Sequence, residues 1–63
     1  MSKETIRDWK GSILGWVETG FFKDTVHDKN GRMLGWYDKS DGYTHDKNGK
    51  RIAKGSQPGL LLR

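Results

Sequence analysis

The sequence predicts an all-β fold, an antiparallel meander of about six short strands that forms three repeated β-hairpins. Two observations predict it. A block of residues recurs three times without internal gaps, and each copy contains an Asp-x-x-Gly turn signal between runs of β-forming residues. No stretch of useful length has the apolar spacing of a helix.

The three copies of the block are IRDWKGSILGW (6–16), VHDKNGRMLGW (26–36) and THDKNGKRIAK (44–54). They share one Asp column, one Gly column, and an aliphatic column followed by Gly or Ala. We expect one domain over residues 1–55, with units at about 5–18, 25–38 and 44–55, and a C-terminal tail over 56–63. The predicted strands are residues 3–8, 12–18, 21–28, 32–38, 42–46 and 50–54.

The turn columns have a direct physical reason. Asp caps the backbone of its own turn, Gly accepts the positive φ that closes a type I turn with a bulge, and Asn also tolerates the left-handed region. The predicted turn residues are Asp8, Gly11, Asp28, Asn30, Gly31, Asp46, Asn48 and Gly49.

Strand alternation predicts the core. The residues expected on a common core face are Leu14, Trp16, Leu34, Trp36 and Ile52. The opposite face of the second and fourth strands is also apolar, so it needs a cover: the curled sheet, the leucine tail or another subunit. The candidate oligomer contacts are Met33, Tyr37, Leu60, Leu61 and Leu62, and docking of the tail in cis and in trans both stay open.

Length and composition favour self-association. A domain of 63 residues buries only about 60% of the surface that its unfolded chain exposes. The chain has no Cys, which excludes disulfides and thiolate metal sites. Association of copies is the remaining way to bury more surface, and we expect a homo-oligomer, with a dimer favoured.

The net charge of +4 is uneven along the chain. Residues 1–46 have seven Lys/Arg and eight Asp/Glu, whereas residues 47–63 have five Lys/Arg and no acid. The basic end could attract nucleic acid or an acidic partner, or it could be a solubilising edge that deters aggregation. The candidate contacts for a partner or nucleic acid are Lys47, Lys50, Arg51 and Lys54.

The sequence contains no residue pattern typical of a catalytic or metal-binding site. The Asp-rich turns miss the EF-hand spacing, and His27 and His45 lie 18 residues apart without further soft ligands. No serine has a nucleophile-elbow context. We expect no enzyme activity, no cofactor and no bound metal.

The chain has no apolar run suited to a signal peptide or a membrane span, because its longest run is Leu60–Leu62. The expectation is a cytoplasmic protein without membrane contact.

The repeated unit, a β-former, Asp-x-x-Gly, Leu or Ile, Gly and an aromatic residue, resembles short bacterial and phage "β-flower" proteins over residues 5–55. It is more distantly similar to the Tyr-Asp (YD/RHS) repeats of bacterial toxin shells, although Arg7, His27 and His45 replace the Tyr. The chain also has three units rather than four or many. The resemblance implies hairpins around a pseudo-symmetry axis and no catalytic residues.

Together these observations predict a non-enzymatic structural or protein-interaction module that self-associates. The alternative is a nucleic-acid-binding module that uses the basic C-terminal third, with Trp9, Tyr37 and Tyr43 as stacking residues.

Overall fold

The computed structural model describes residues 2–62 and contains one antiparallel sheet of six strands in chain order. The all-β hairpin meander predicted from the sequence is therefore confirmed. The elements are β1 (Ser2–Arg7), β2 (Ile13–Thr19), β3 (Lys23–Asp28), β4 (Met33–Asp38), β5 (Tyr43–Asp46), β6 (Arg51–Lys54) and one short 3-10 turn, η1 (Pro58–Leu60). In this part of the chain no helix has the length and apolarity that a membrane crossing demands.

The turn of the first hairpin shows how the Asp and Gly columns work. The Asp8 amide donates to the Ser12 carbonyl at 2.9 Å, and the Gly11 amide donates to the Asp8 carbonyl at 3.0 Å. Asp8 Oδ1 also accepts from the amides of Lys10 and Ser12, both at 2.9 Å. The Asp side chain thus supplies the hydrogen-bond acceptor that these amides would otherwise find in water.

The turns that begin at Asp28 and Asp46 repeat the same four hydrogen bonds. The closing glycines have φ values of 87°, 91° and 87° at Gly11, Gly31 and Gly49. Residues with a Cβ adopt this region only at a cost, so glycine here is a backbone requirement.

A β-bulge in each hairpin changes the faces that simple alternation predicts. In the first hairpin the register steps from Gly15 to Ile13, so Leu14 has no partner across the strand pair. Leu34 and Ile52 are the extra residues of the other two hairpins. One extra residue breaks the period of two, and the side chains that follow it alternate from a new starting point.

The predicted core needs correction for this reason. Leu14, Leu34, Trp16 and Trp36 are only half-buried, and Ile52 is 40% exposed because β6 is an edge strand. Among the described residues, the buried apolar side chains are Val26 (1% exposed) and Leu62 (7% exposed).

We call the sheet face that carries Val26 and its cross-strand neighbour Gly35 the inner face. The C-terminal tail covers the inner face in cis. A Cβ built on Gly15 would lie 2.7 Å from Leu62 Cδ2, and one built on Gly35 would lie 2.9 Å from Leu61 Cδ1. The tail therefore occupies the space that the missing side chains leave, and cis docking is the arrangement in this structure.

Thr44 holds the start of the tail. Its buried hydroxyl donates to the Gly55 carbonyl at 2.6 Å and accepts from the Gln57 amide at 3.0 Å. This polar anchor satisfies the buried hydroxyl group and fixes the direction in which the chain leaves β6.

Candidate interaction surfaces

The outer face, opposite Val26 and Gly35, carries two copies of one aromatic stack. Trp16 pairs with His27 across the strands, and their ring centroids are 5.2 Å apart at an interplanar angle of 20°. Trp36 and His45 repeat the arrangement at 5.5 Å and 13°. The repeat thus builds a ladder on this face.

A lysine completes each stack. Lys3 Nζ lies 4.4 Å from the ring centroid of Trp16, and Lys23 Nζ lies 5.0 Å from that of Trp36. Each indole therefore contacts both an imidazole and an ammonium group, a cation–π arrangement. These contacts compete with the stacking of a nucleic-acid base on Trp16 or Trp36.

His45 is the most highly connected polar side chain of the ladder. Its Nδ1 lies 3.0 Å from the Gly49 carbonyl, and its Nε2 lies 3.0 Å from Asp41 Oδ2. Both partners are acceptors, so both nitrogens donate together only when the ring is protonated. Arg51 Nε adds a contact of 3.7 Å to the same carboxylate oxygen of Asp41.

The pKa of His45 is raised in agreement with this geometry. The hydrogen bond to the Gly49 carbonyl is the largest cause, burial opposes it, and Asp41 raises the pKa further by its hydrogen bond and its charge. The pKa of Asp38 is lowered, chiefly by the hydrogen bond from the Ser40 hydroxyl group.

Asp38, Asp41 and His45 bring three candidate metal-ligating atoms within 4.8 Å of one another. A metal needs a neutral imidazole with a free nitrogen. Both ring nitrogens of His45 are already hydrogen-bonded in an environment that favours the imidazolium, and Arg51 shares Asp41. The chemistry of this cluster is that of an ion-pair network.

The hairpin between β2 and β3 ends in two exposed phenylalanines. The Gly20 amide donates to the Lys23 carbonyl at 2.9 Å, which leaves Phe21 and Phe22 as the two central residues of the turn. They are 85% and 73% exposed, and their rings meet edge to face with centroids 4.8 Å apart. We call Phe21 and Phe22 the Phe tip.

The Phe tip forms part of a shallow groove, which is lined by residues 18–23 and Thr25. The connection between β4 and β5 holds the turn between β2 and β3 in place. The Lys39 amide donates to the Phe22 carbonyl at 3.0 Å, and Lys39 Nζ donates to the Gly20 carbonyl at 2.9 Å. The rings are therefore exposed although their backbone is held.

The three Asp-x-x-Gly turns lie together at the opposite end of the hairpins, because every odd-numbered strand runs towards this end. We call residues 7–12, 27–32 and 45–51 the turn end. They contain seven Lys/Arg and three Asp, whereas the rest of the chain contains five Lys/Arg and five Asp/Glu. The whole net charge of +4 thus belongs to the turn end.

A protein-family model described as "4-fold beta flower protein" matches residues 1–59. The chain belongs to this β-flower family. The resemblance to β-flower proteins is confirmed, while the similarity to Tyr-Asp repeats and a bacterial or phage origin stay predictions. No curated protein and no solved structure matches the chain significantly. The family description is fourfold, and this β-flower chain has three hairpins in its described part.

The β-flower fold separates residues that the sequence placed in one basic segment. Lys47, Lys50 and Arg51 lie at the turn end, but Lys54 pairs with Tyr43 at the other end of the third hairpin. Arg51 also lies over the Tyr43 ring, with its guanidinium carbon 4.7 Å from the centroid.

The candidate oligomer contacts also fall into an exposed group and a group that packs within the protein. Met33 and Leu60 are exposed at 42% and 38%. Tyr37 is half-buried and pairs with Thr44, while Leu61 and Leu62 pack against the protein's own glycines. Only the first two therefore present substantial free surface in this β-flower protein.

The sequence prediction missed the Phe tip because it placed residue 21 at the start of a strand. The adjacent aromatic pair directly after Gly20 is a usable signal, since hairpin tips are normally polar. It also left the first two turns out of the basic surface, because Lys10, Lys29 and Arg32 are far along the chain from the basic segment that begins at residue 47.

Proposed function

We propose that this β-flower protein is a non-enzymatic interaction module that forms a weak homodimer through the Phe tip. The observation that carries the proposal is the exposure of Phe21 and Phe22, at 85% and 73%, on a braced turn that forms part of a groove. Two adjacent large aromatic rings in water are unusual unless they meet a partner.

The imbalance of the core supports association. Among the described residues, Val26 and Leu62 are the buried apolar side chains, whereas seven large hydrophobic residues are exposed. These seven are Trp9, Ile13, Phe21, Phe22, Met33, Ile52 and Leu60. A small domain of this kind gains stability when copies cover such surface.

A second copy of the chain is the partner that best suits the Phe tip. A two-fold interface uses the same patch on both subunits, so it requires a projection and a receptor close together. The Phe tip meets this requirement, because its two rings project into solvent and also form part of the shallow groove, so the same patch of each copy can receive the rings of the other.

Continuation of the sheet from copy to copy is the less favoured route. A Cβ on Gly35 would lie 2.2 Å from the carbonyl oxygen of His45 in the next strand. The equivalent position in β6 is Ala53, which has a methyl group and no strand beyond it. A further hairpin added to β6 in the same geometry would meet that methyl group.

The expected affinity is low. Burial of the two phenylalanines of each copy covers roughly 600–1,000 Å² in total, at about 150–250 Å² for each ring. Specific stable interfaces begin at about 1,200 Å². We therefore expect half of the chains to be dimeric at a chain concentration on the order of 0.1 mM.

Sedimentation equilibrium tests the proposal over a range of about 0.02 to 1 mM. We expect the apparent mass of the wild type to rise towards twice the chain mass, and the mass of F21S/F22S to stay at that of one chain. Trp9→Ser removes an equally exposed aromatic residue from the opposite end and is the matched control. A wild type that stays monomeric, or a Trp9→Ser variant that alone abolishes association, would refute the proposal.

The second candidate function is nucleic-acid binding. Lys47 and Lys50 support it from the turn end, but Arg51 contacts Asp41 and Lys54 lies at the other end, so these two do not extend this surface. Stacking of a base on Tyr43, as the sequence predicts, would compete with the contact from Arg51.

A further inference from the structure

The cations of the turn end are largely unpaired. Lys10, Lys29, Arg32, Lys47 and Lys50 are exposed, and none of them makes an ion pair among the described residues. The three acidic groups of this end form no ion pair with them among the described residues, and each Asp Oδ1 binds two amides of its own turn. A positive field therefore extends from this end into solvent.

The three turns form a row. Neighbouring turns are two strands apart, which corresponds to roughly 10 Å at a strand spacing of about 4.8 Å. Three sets of cations in a row suit a flexible polyanion that passes from turn to turn, rather than a single small anion. The turn amides themselves are occupied by Asp side chains, so the lysines and arginines supply the attraction.

Trp9 distinguishes one kind of polyanion from others. Lys10 Nζ lies 5.1 Å from the ring centroid of Trp9, but the residue is 89% exposed in the first turn, so most of the indole surface stays open to a base. An exposed indole beside cations can stack on an unpaired base while the cations contact phosphates. An anionic membrane would instead favour several apolar side chains beside the cations, whereas the adjacent exposed rings of Phe21 and Phe22 lie at the opposite end.

We propose that the turn end binds single-stranded nucleic acid, with phosphates along the three turns and a base on Trp9. The surface adds Arg7, Lys10, Lys29 and Arg32 to Lys47 and Lys50. Its existence does not depend on dimerisation through the Phe tip, because the two surfaces lie at opposite ends of the hairpins.

Fluorescence anisotropy with a labelled oligothymidylate of about 15 nucleotides tests the proposal as a function of salt. Contact with three to five phosphates predicts a slope of log K against log salt of about −2 to −3.5. Lys29→Glu should weaken binding several-fold and reduce the slope by about 0.7. Lys54→Glu makes the same charge change at the other end and should have little effect.

Trp9→Ala should weaken binding by roughly 5-fold or more at an unchanged salt slope, as expected for the loss of a stacked base. F21S/F22S should bind like the wild type, which separates this test from that of self-association. Absence of binding at low salt, or equal losses for Lys29→Glu and Lys54→Glu, would overturn the proposal. Equal affinity for duplex DNA or for anionic vesicles, with no effect of Trp9→Ala, would also overturn it.

Discussion

Replacement of Gly35 by Ala probes the close contact between the second and third hairpins. A Cβ at Gly35 would lie 2.2 Å from the His45 carbonyl oxygen and 3.1 Å from Asp46 Cα. These are backbone atoms, which cannot rotate away, and carbon–oxygen contacts require about 3.3 Å. β4 and β5 must therefore separate locally by roughly 1 Å.

The loss of stability follows from the backbone hydrogen bonds between β4 and β5. Loss of roughly two hydrogen bonds near the Gly35–Asp46 pair costs about 2 kcal/mol. Overpacking against the backbone adds about 1–3 kcal/mol, for a total of about 3–5 kcal/mol. The free energy of unfolding of a 63-residue domain is roughly 3–9 kcal/mol. Gly35→Ala should therefore remove a large part of the stability.

Thermal unfolding followed by circular dichroism measures the effect. We expect the Tm of Gly35→Ala to fall by about 15 °C or more, at about 4–8 °C for each kcal/mol in a small domain. Gly59→Ala is the matched control, because a Cβ there meets nothing within 4 Å. Ala53→Gly should cost only about 0.5–1 kcal/mol. A Gly35→Ala protein that melts within a few degrees of the wild type would refute the close-contact argument.

Three further predictions concern the turns and the His45 network. Gly31→Val should lower the free energy of unfolding by about 2 kcal/mol or more, because the residue has a φ of 91°; equal melting of Gly31→Val and Gly59→Val would contradict this. Asp28→Ala removes the acceptor of two turn amides and should cost about 1–2 kcal/mol in denaturant titrations, and Asp28→Asn should cost less, since it keeps one oxygen. The folded pKa of His45 is raised, so its stabilisation is present below the ordinary His value of 6.5 and is lost as pH rises through the folded pKa. The Tm advantage of the wild type over His45→Gln should thus shrink as the pH rises above the ordinary His value of 6.5; a difference that stays constant over this rise would contradict the protonated network.

The sequence alone determined the hairpins and their turns. Asp28 and Gly31 act within one turn, so the interactions that they require are local and can be read from residue type and spacing. The repetition of this pattern also predicted that all three turns share one geometry. The family match agrees with the resemblance carried by these columns.

Only the tertiary structure decided the faces and the surfaces. The bulge at Leu14 moves the following side chains out of the simple alternation, and this shift depends on the register between two strands. The sequence could not show that Leu62 fills the space above Gly15, since these residues are far apart in the chain.

The distribution of charge over the surface also depends on the tertiary structure. Along the chain the basic residues concentrate after residue 46, but the meander brings Lys10 and Lys29 to the same end as Lys47 and places Lys54 at the other end. Local chemistry fixed each turn in advance. The pairing of distant strands then decided which side chains became neighbours, because that pairing sets the distances over which charges and rings interact.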